Sequence, residues 1–124
     1  MIYLDTHVVV WLYVGDLSAF SPAATRALET DSLMISPVVA LELTYLHEIG
    51  RVTTQSSVIL DYLADHINVT VCPLAFERVI TAAINQTWTR DPFDRMIVGH
   101  AAIQQCGLVT KDRIIHTHYA ESIW

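Results

Sequence analysis

Short apolar runs that stop at a polar residue recur along this chain, and they predict the strands of a parallel sheet. The first run, residues 2–4, ends at Asp5, and the run at residues 108–110 is followed by Lys111 and Asp112. Strands buried on both faces have this near-continuous apolar character. We therefore predict strands at residues 2–4, 33–35, 68–73 and 108–110, with a last edge strand at residues 122–124.

Helix signals occupy the segments between these runs. Ser21-Pro22, Ser36-Pro37 and Asp91-Pro92 each combine a capping residue with a proline at the first helical position. Glycine is a common stop signal, and Gly15, Gly50 and Gly107 follow three of the patterns. The predicted helices cover residues 8–14, 23–29, 38–49, 58–63, 76–84 and 92–106. Strands that alternate with helices predict an α/β/α sandwich with a central, mostly parallel sheet of four to five strands.

Two of these helices carry apolar residues at helical spacing. In the helix that follows Pro37, Glu42 falls within a predicted inward stripe, and an acid there is costly unless something pairs with it. That stripe comprises Val38, Leu41, Tyr45 and Ile49. The inward face predicted for residues 76–84 comprises Phe76, Val79, Ile80, Ala83 and Ile84.

Composition narrows the class of protein. The 124 residues suit a single domain, residues 1–124, and 52% of them are hydrophobic. A net charge of −6 argues against a module that binds nucleic acid by neutralising its backbone, but it permits a nuclease whose acids hold metal ions. Cys72 and Cys106 form no metal-binding spacing, so we expect reduced thiols in a cytoplasmic protein. We expect no signal peptide, and the longest apolar run, residues 8–14, is too short to span a bilayer.

Four acids are placed where a parallel sheet would bring them together. Asp5 and Asp112 each follow a strand, Glu42 lies on a helix after the second strand, and Asp94 is in the first turn of another helix. Sites in such sheets lie beyond the carboxyl ends of strands. Carboxylates that share a pocket either take up protons or bind a cation, and oxygen ligands suit Mg²⁺ or Mn²⁺. A divalent cation held by carboxylates is what many enzymes use to hydrolyse phosphodiester bonds.

Four motifs in this order resemble those of PIN-domain ribonucleases, of the VapC toxin class found in VapBC toxin–antitoxin pairs. They are Leu4-Asp5-Thr6-His7 with Trp11, the segment 36–43 (SPVVALEL), the segment 90–97 (RDPFDRMI) and the segment 108–112 (LVTKD). The resemblance covers the whole chain. It implies a PIN-like fold, a Mg²⁺ or Mn²⁺ site, RNA cleavage, a homodimer, and inhibition by a cognate VapB-like antitoxin.

Carried over by position, the resemblance implies that Asp5, Glu42, Asp94 and Asp112 are the catalytic and metal-binding residues. Asp5 and Asp94 are expected to be the most direct ligands, with Glu42 holding a second metal or a metal-bound water and Asp112 the most dispensable. Asp91 is interpreted mainly as a helix cap. The hydroxyls of Thr6 and Thr110 are candidates to orient the carboxylates.

Basic and aromatic residues near these acids have two interpretations. Basic residues there either balance local charge or contact RNA phosphate, and Arg95 is the best candidate for contact with RNA or an antitoxin acid. These residues are Arg90, Arg95, Lys111 and Arg113. Trp11 is expected in the core, in a dimer surface or in an antitoxin groove. His7 is a candidate to hydrogen-bond a carboxylate, and a zinc pair of His116 and His118 lacks further ligands.

Two other classes of protein remain as alternatives. A catalytically silent PIN-like module would bind a partner without metal and cleave nothing, although the presence of all four acids argues against it. An aspartyl-phosphate enzyme would use Asp5 as its nucleophile. Such enzymes commonly carry a second acid two residues later, where this chain has His7.

Overall fold

The computed structural model describes residues 1–124 and contains one five-stranded sheet in which every neighbouring pair of strands is parallel. The strand order is β3-β2-β1-β4-β5, so the order reverses between β1 and β4. Five strands in a wholly parallel sheet confirm the predicted architecture. The strands are β1 (Ile2–Leu4), β2 (Leu33–Ile35), β3 (Thr70–Val71), β4 (Gly107–Val109) and β5 (Ser122–Ile123).

Seven α-helices flank the sheet, and a short 3-10 helix spans Leu17–Ala19. The six predicted helices are all present. The seventh, Arg113–His118, had no predicted counterpart. The helices are α1 (Thr6–Val14), α2 (Pro22–Thr30), α3 (Val38–Glu48), α4 (Ser56–Ile67), α5 (Phe76–Ile84), α6 (Pro92–Gln104) and α7 (Arg113–His118). None of them is long and apolar enough to cross a membrane.

The central strands and the inner faces of the helices form one apolar core. Tyr3 and Leu4 of β1 and Leu108 and Val109 of β4 are fully buried. The backbone of Gly99 on α6 approaches α5 closely, because a Cβ atom at this position would lie 3.2 Å from the backbone nitrogen of Ala83. This close contact holds the middle of α6 against α5. The first turn of α6 lies at the site described below.

Several predicted details of the helices were wrong. The buried residues of α3 are Val38, Val39, Leu43 and Leu46, so Val38 is the one member of the predicted stripe that is buried. The other three members are about half exposed: Leu41 (59%), Tyr45 (48%) and Ile49 (47%). Apolar residues occur on both sides of this helix, so spacing alone could not select the inward face. On α5, Val79 and Ala83 are buried as predicted, but Phe76 (72% exposed) and Ile84 (63% exposed) face solvent.

Some boundaries also differ from the prediction. Helix α6 ends at Gln104 with Gln105 in the left-handed conformation, and Gly107 begins β4 instead of stopping the helix. Strand β3 is confined to two residues where six were predicted. Helix α7 was missed because it has only six residues and four of them are polar. The edge strand at the end of the chain is confirmed as β5.

Candidate metal and catalytic site

The predicted acids lie around one hollow at the carboxyl ends of β1 and β4, where the strand order reverses. Its volume is about 330 Å³. Ligand sites in open parallel sheets occupy this position. The lining residues are Asp5, His7, Trp11, Glu42, Asp91, Asp94, Lys111 and Asp112. Five of these eight side chains are carboxylates, and they include all four of the predicted catalytic acids.

Asp5 is the most tightly held of these acids. It caps α1, only 6% of it is exposed, and its Oδ1 accepts a hydrogen bond from the Thr6 backbone N–H at 2.7 Å. The Thr110 hydroxyl donates to its Oδ2, also at 2.7 Å. Burial raises the pKa of Asp5, while these two hydrogen bonds and the nearby His7 oppose that rise. The carboxyl group is therefore fixed in place at the end of β1.

Thr110 connects the ends of β1 and β4. Besides donating to Asp5, its Oγ1 accepts a hydrogen bond from the Asp112 backbone N–H at 3.0 Å. Asp112 then caps α7, because its Oδ1 accepts from the N–H groups of Ile114 and Ile115 at 2.7 and 3.2 Å. One buried hydroxyl thus sets the relative position of two acids that are 107 residues apart in the chain. The structure places Thr110 in the supporting position that the sequence predicted for it.

Glu42 reaches the hollow from α3. Burial raises the pKa of its carboxyl, as do Asp5 and Asp91, whereas Thr6 and His7 lower it. The Thr6 hydroxyl is buried without a hydrogen bond of standard geometry, yet it lies near enough to act on this carboxyl. Glu42 is therefore partly buried, as the sequence argument required, although the stripe that suggested this is largely exposed.

Asp94 and Asp91 share the start of α6. Asp91 is the helix cap, and its Oδ1 accepts from the N–H groups of Phe93 at 2.8 Å and Asp94 at 3.3 Å, which confirms the predicted capping role. Asp94 lies in the first turn of the helix. Burial, followed by the charges of the other four carboxylates, raises its pKa to about 7. The pKa of Asp94 therefore reflects its burial first and repulsion from every other acid of the hollow second.

The donor set fits a hard divalent cation, since it consists of carboxylate oxygens. As placed, no three His, Cys, Asp or Glu side chains are close enough together to share an ion. Carboxylates repel one another when no cation balances them, and raised pKa values are the expected result. The residues present therefore match the chemistry of Mg²⁺ or Mn²⁺, provided that the side chains approach one another when the ion binds.

Arg95, one of the basic residues predicted near the acids, is placed elsewhere, and His116 does not line the hollow either. Arg95 does not line the hollow: its Nε donates to the Thr89 carbonyl oxygen at 2.8 Å, and it borders a separate cavity beside Ile80 and Ile84. Adjacency to Asp94 in sequence was misleading because consecutive residues point to different sides of a helix. His116 contacts the Thr110 carbonyl oxygen (2.7 Å) and the Ser122 hydroxyl (2.6 Å), so it tethers β4 to β5.

Three lining residues received little weight in the sequence argument. His7 and Lys111 lie within three residues of a strand end, and Trp11 lies one helical turn beyond His7. The signal that could have identified them was available, because residues next to strand ends and one turn apart on α1 share a surface. Lys111 is the one basic side chain, apart from His7, that lines the hollow.

Comparison with known proteins shows the family. Residues 2–121 match the model of the PIN domain. The chain belongs to the PIN-domain family. It is 32% identical over 120 residues to Ribonuclease VapC22 of Mycobacterium tuberculosis, a match that covers 94% of this chain and 91% of that protein. The resemblance to VapC-type PIN domains inferred from the four motifs is thus confirmed.

Solved structures of low sequence identity share the fold. A chain of VapBC2 from Rickettsia felis, bound to a DNA fragment from its promoter, aligns with a TM-score of 0.67 at 18% identity and covers all of both chains. A chain of a toxin-antitoxin complex from Klebsiella pneumoniae also gives 0.67, at 13% identity, with 100% of this chain and 97% of that chain covered. These similarities confirm the predicted PIN-like architecture.

Proposed function

We propose that this PIN-domain protein is a metal-dependent endoribonuclease of the VapC type, a toxin that a VapB-like antitoxin neutralises. The observation that carries the proposal is the convergence of five carboxylates on one hollow, where burial and then the charges of the other acids raise the pKa of Asp94 to about 7. The 32% identity to a protein named as a ribonuclease supports RNA as the substrate. We expect the protein to act in the cytoplasm, where RNA is available.

Asp5 and Asp94 are the proposed direct ligands of Mg²⁺ or Mn²⁺, with Glu42 and Asp112 completing the set. When bound, the ion supplies neutralising charge and Lewis acidity for hydrolysis of the phosphodiester bond. Thr110 and the Thr6 amide orient the Asp5 carboxyl, so that its position does not change when charge develops in the hollow. Asp94, with a pKa of about 7, gives up its proton readily when a cation arrives.

The sequence around Asp5 and the family match argue against the aspartyl-phosphate alternative. Enzymes that use an aspartate nucleophile commonly carry a second acid two residues later, and this chain has His7 at that position. Residues 2–121 instead match the PIN domain. Trapping a phosphoryl group on Asp5 would restore that alternative.

The test of the proposed function is RNA cleavage by matched variants. Wild type is expected to cleave RNA with Mg²⁺ or Mn²⁺ and to stop in excess EDTA. Asp5→Asn and Asp94→Asn should each reduce the rate of cleavage by at least about 100-fold. The loss of a metal ligand costs more activity than the loss of a residue that only orients a ligand. Circular dichroism should show that both variants remain folded. The matched control is Glu48→Gln, an exposed acid on the same helix as Glu42.

Two results would contradict this function. Cleavage that persists in EDTA, or in both aspartate variants, would remove the acids from the reaction. The absence of cleavage with any divalent ion, combined with tight metal-independent binding of an antitoxin, would favour the silent binding module.

The antitoxin and the homodimer are part of the proposal. The fold shared with chains from VapBC and toxin-antitoxin structures supports an antitoxin partner. Exposed apolar side chains on α3 and α5, Leu41 and Phe76, border one groove and offer a surface for a second copy of the chain. Sedimentation is expected to show a dimer that Phe76→Glu weakens, whereas Val58→Glu, at an exposed position of α4, should leave it intact. A wild-type monomer would contradict the dimer.

A further inference from the structure

A cluster of aromatic side chains borders the acidic hollow. The ring of Trp11 lies 5.7 Å from that of Trp124 and 6.2 Å from that of Phe20, measured between centroids, and 6.1 Å from that of His7. Trp11 itself lines the hollow and is only partly buried. An indole ring at this place extends the acidic hollow into an apolar, aromatic surface.

Lys111 covers this aromatic surface. Its Nζ lies 5.9 Å from the Trp11 ring centroid and 5.7 Å from that of Trp124. Lys111 is exposed and forms no ion pair with any of the five carboxylates that line the same hollow. The one ion pair in the structure joins the Met1 amino group to Asp31. A cation–π contact at an exposed site is weak, so the Lys111 ammonium can leave the aromatic rings and bind an anion instead.

We propose that Lys111, Trp11 and Trp124 form a nucleotide subsite beside the scissile bond, which binds one nucleotide of single-stranded RNA. The Lys111 ammonium binds the phosphate, and the indole face that it uncovers stacks with the base. This inference rests on the proposed function and names the residues by which the site holds its substrate.

Charge explains why the subsite is needed. Five carboxylates repel a polyanion, and apart from His7 the lining of the hollow offers one cation. Single-stranded nucleic acids are commonly held by cationic side chains together with aromatic rings on which bases stack, because every base presents a π face. Lys111 and Trp11 supply one of each, at the edge of the site where an RNA strand must enter.

The first experiment tests the phosphate contact. Binding of a short, fluorescein-labelled single-stranded RNA is followed by anisotropy with Ca²⁺ in place of Mg²⁺ or Mn²⁺, between about 50 and 200 mM salt, the range over which phosphate contacts change affinity most visibly. A gel run afterwards checks that the RNA is intact. Loss of one phosphate contact to a single strand should reduce the slope of log affinity against log salt by about 0.7.

Lys111→Ala should show this reduced slope and Lys111→Arg should restore it. The matched control is Arg113→Ala, which also removes one exposed positive charge but does not line the hollow. A Lys111→Ala slope equal to that of wild type, or the same reduction in Arg113→Ala, would overturn the phosphate contact.

The second experiment tests the stacking. Replacing the nucleotide on either side of the cleaved bond with an abasic one should weaken binding to wild type by about fivefold to 100-fold at one of the two positions. In Trp11→Leu the same replacement should cost almost nothing, because the stack is already lost. Trp11→Phe keeps an aromatic ring and should recover part of the penalty. Trp88 lies outside the hollow, so Trp88→Leu should show the same penalty as wild type.

Failure of the subsite and failure of the nuclease function are separable. If wild type cleaves RNA while the abasic penalty is the same in wild type and Trp11→Leu, the subsite is wrong and the nuclease stands. If wild type neither binds nor cleaves RNA, both are wrong. Expected results in both experiments, together with a raised KM and a nearly unchanged kcat for Lys111→Ala, support the subsite.

Discussion

The two halves of α6 each withdraw a titratable side chain from water, but with different surroundings. At the N-terminal end, Asp94 is partly buried among four other carboxylates, and its pKa is raised to about 7. In the middle of the helix, His100 is 3% exposed, stacks on Tyr3 at 5.9 Å, and has no hydrogen-bond partner for either ring nitrogen. Burial lowers its pKa.

This difference in surroundings shows that the first half of α6 belongs to the candidate site and the second half belongs to the core. Asp94 is destabilised mainly by lost water and by charges of the same sign, so a cation can relieve it. His100 is surrounded by apolar side chains, so it is tolerated only while it stays neutral. The first half of α6 should therefore respond to cations and the second half should not. The following predictions test that contrast, beginning with the largest expected effect.

The packed half of α6 should tolerate truncation poorly. Ile97 is 1% exposed, and Ile97→Ala is expected to lower the free energy of unfolding by about 2–5 kcal/mol through lost burial and a new cavity. Urea denaturation at pH 7 measures this change. Ile114→Ala, at a 57% exposed position, serves as the control and should change stability by no more than about 0.5 kcal/mol. A loss below about 1 kcal/mol for Ile97→Ala would contradict the packing described here.

The acidic end should gain stability from the opposite kind of change. Because the folded-state pKa of Asp94 exceeds its unfolded value of 3.8, this group contributes stability that is complete below pH 3.8 and is lost as the pH rises through about 7. The free energy of unfolding of Asp94→Asn should therefore be about 1–2 kcal/mol higher than that of wild type at pH 8 without divalent ions, allowing for solvent screening. This advantage should shrink as the pH approaches 4.

Urea denaturation of both proteins across that pH range measures the difference. The control Asp65→Asn, at an exposed position of α4, should show no such dependence. A destabilised Asp94→Asn at pH 8 would mean that Asp94 makes a favourable interaction that the repulsion does not outweigh.

Divalent cations should narrow or cancel the difference in stability between these two proteins. At about ten times the dissociation constant, Mn²⁺ contributes about 1.4 kcal/mol, which raises the Tm of wild type by roughly 3–6 °C. Asp94→Asn should respond much less. Thermal unfolding at pH 8 measures both shifts, with KCl of equal ionic strength as the control. Equal shifts in the two proteins would show that Asp94 does not bind the ion.

The smallest expected effect concerns His100. Because its folded-state pKa lies below its unfolded value near 6.5, its contribution to stability declines as the pH falls below about 6.5. His100→Leu should match wild type within about 1 kcal/mol at pH 8 and gain on it as the pH drops to 5, since no charge has to be kept out. Urea denaturation at both pH values measures this, and the exposed His66→Leu provides the comparison. A constant difference across the pH range would contradict the role assigned to burial.

The sequence predicted the sheet and the position of the acids because the same local pattern, an apolar run followed by an acid, occurs at β1 and β4. In a parallel sheet, equivalent strand ends lie at one edge, so Asp5 and Asp112 had to be near each other. The chain could not reveal which face of α3 is buried, because Val39 and Leu43 compete there with equally apolar Leu41 and Tyr45. Tertiary packing decided between the two.

The same limit applies to the basic residues. Arg95 is adjacent to Asp94 in sequence but lies outside the hollow, whereas Lys111 follows Thr110 and lies inside it. The side chains of consecutive helical residues point to different sides of the helix, and only the folded structure shows which of them enters a given cavity. Spacing identified Asp5, Asp94 and Asp112 because each lies just after a strand or at the start of a helix, whereas Glu42 lies within α3 and was identified by its apolar neighbours.

Asp5, Asp91 and Asp112 each begin a helix as well as lining the hollow. Asparagine, serine and threonine cap helices about as well as aspartate. A descendant of this chain that exchanged these acids for such residues would therefore keep its architecture while losing the carboxylates on which the proposed chemistry depends. Inheritance of the shape and inheritance of the reaction are thus separable in this lineage, and a shared fold alone is no guarantee of a working enzyme.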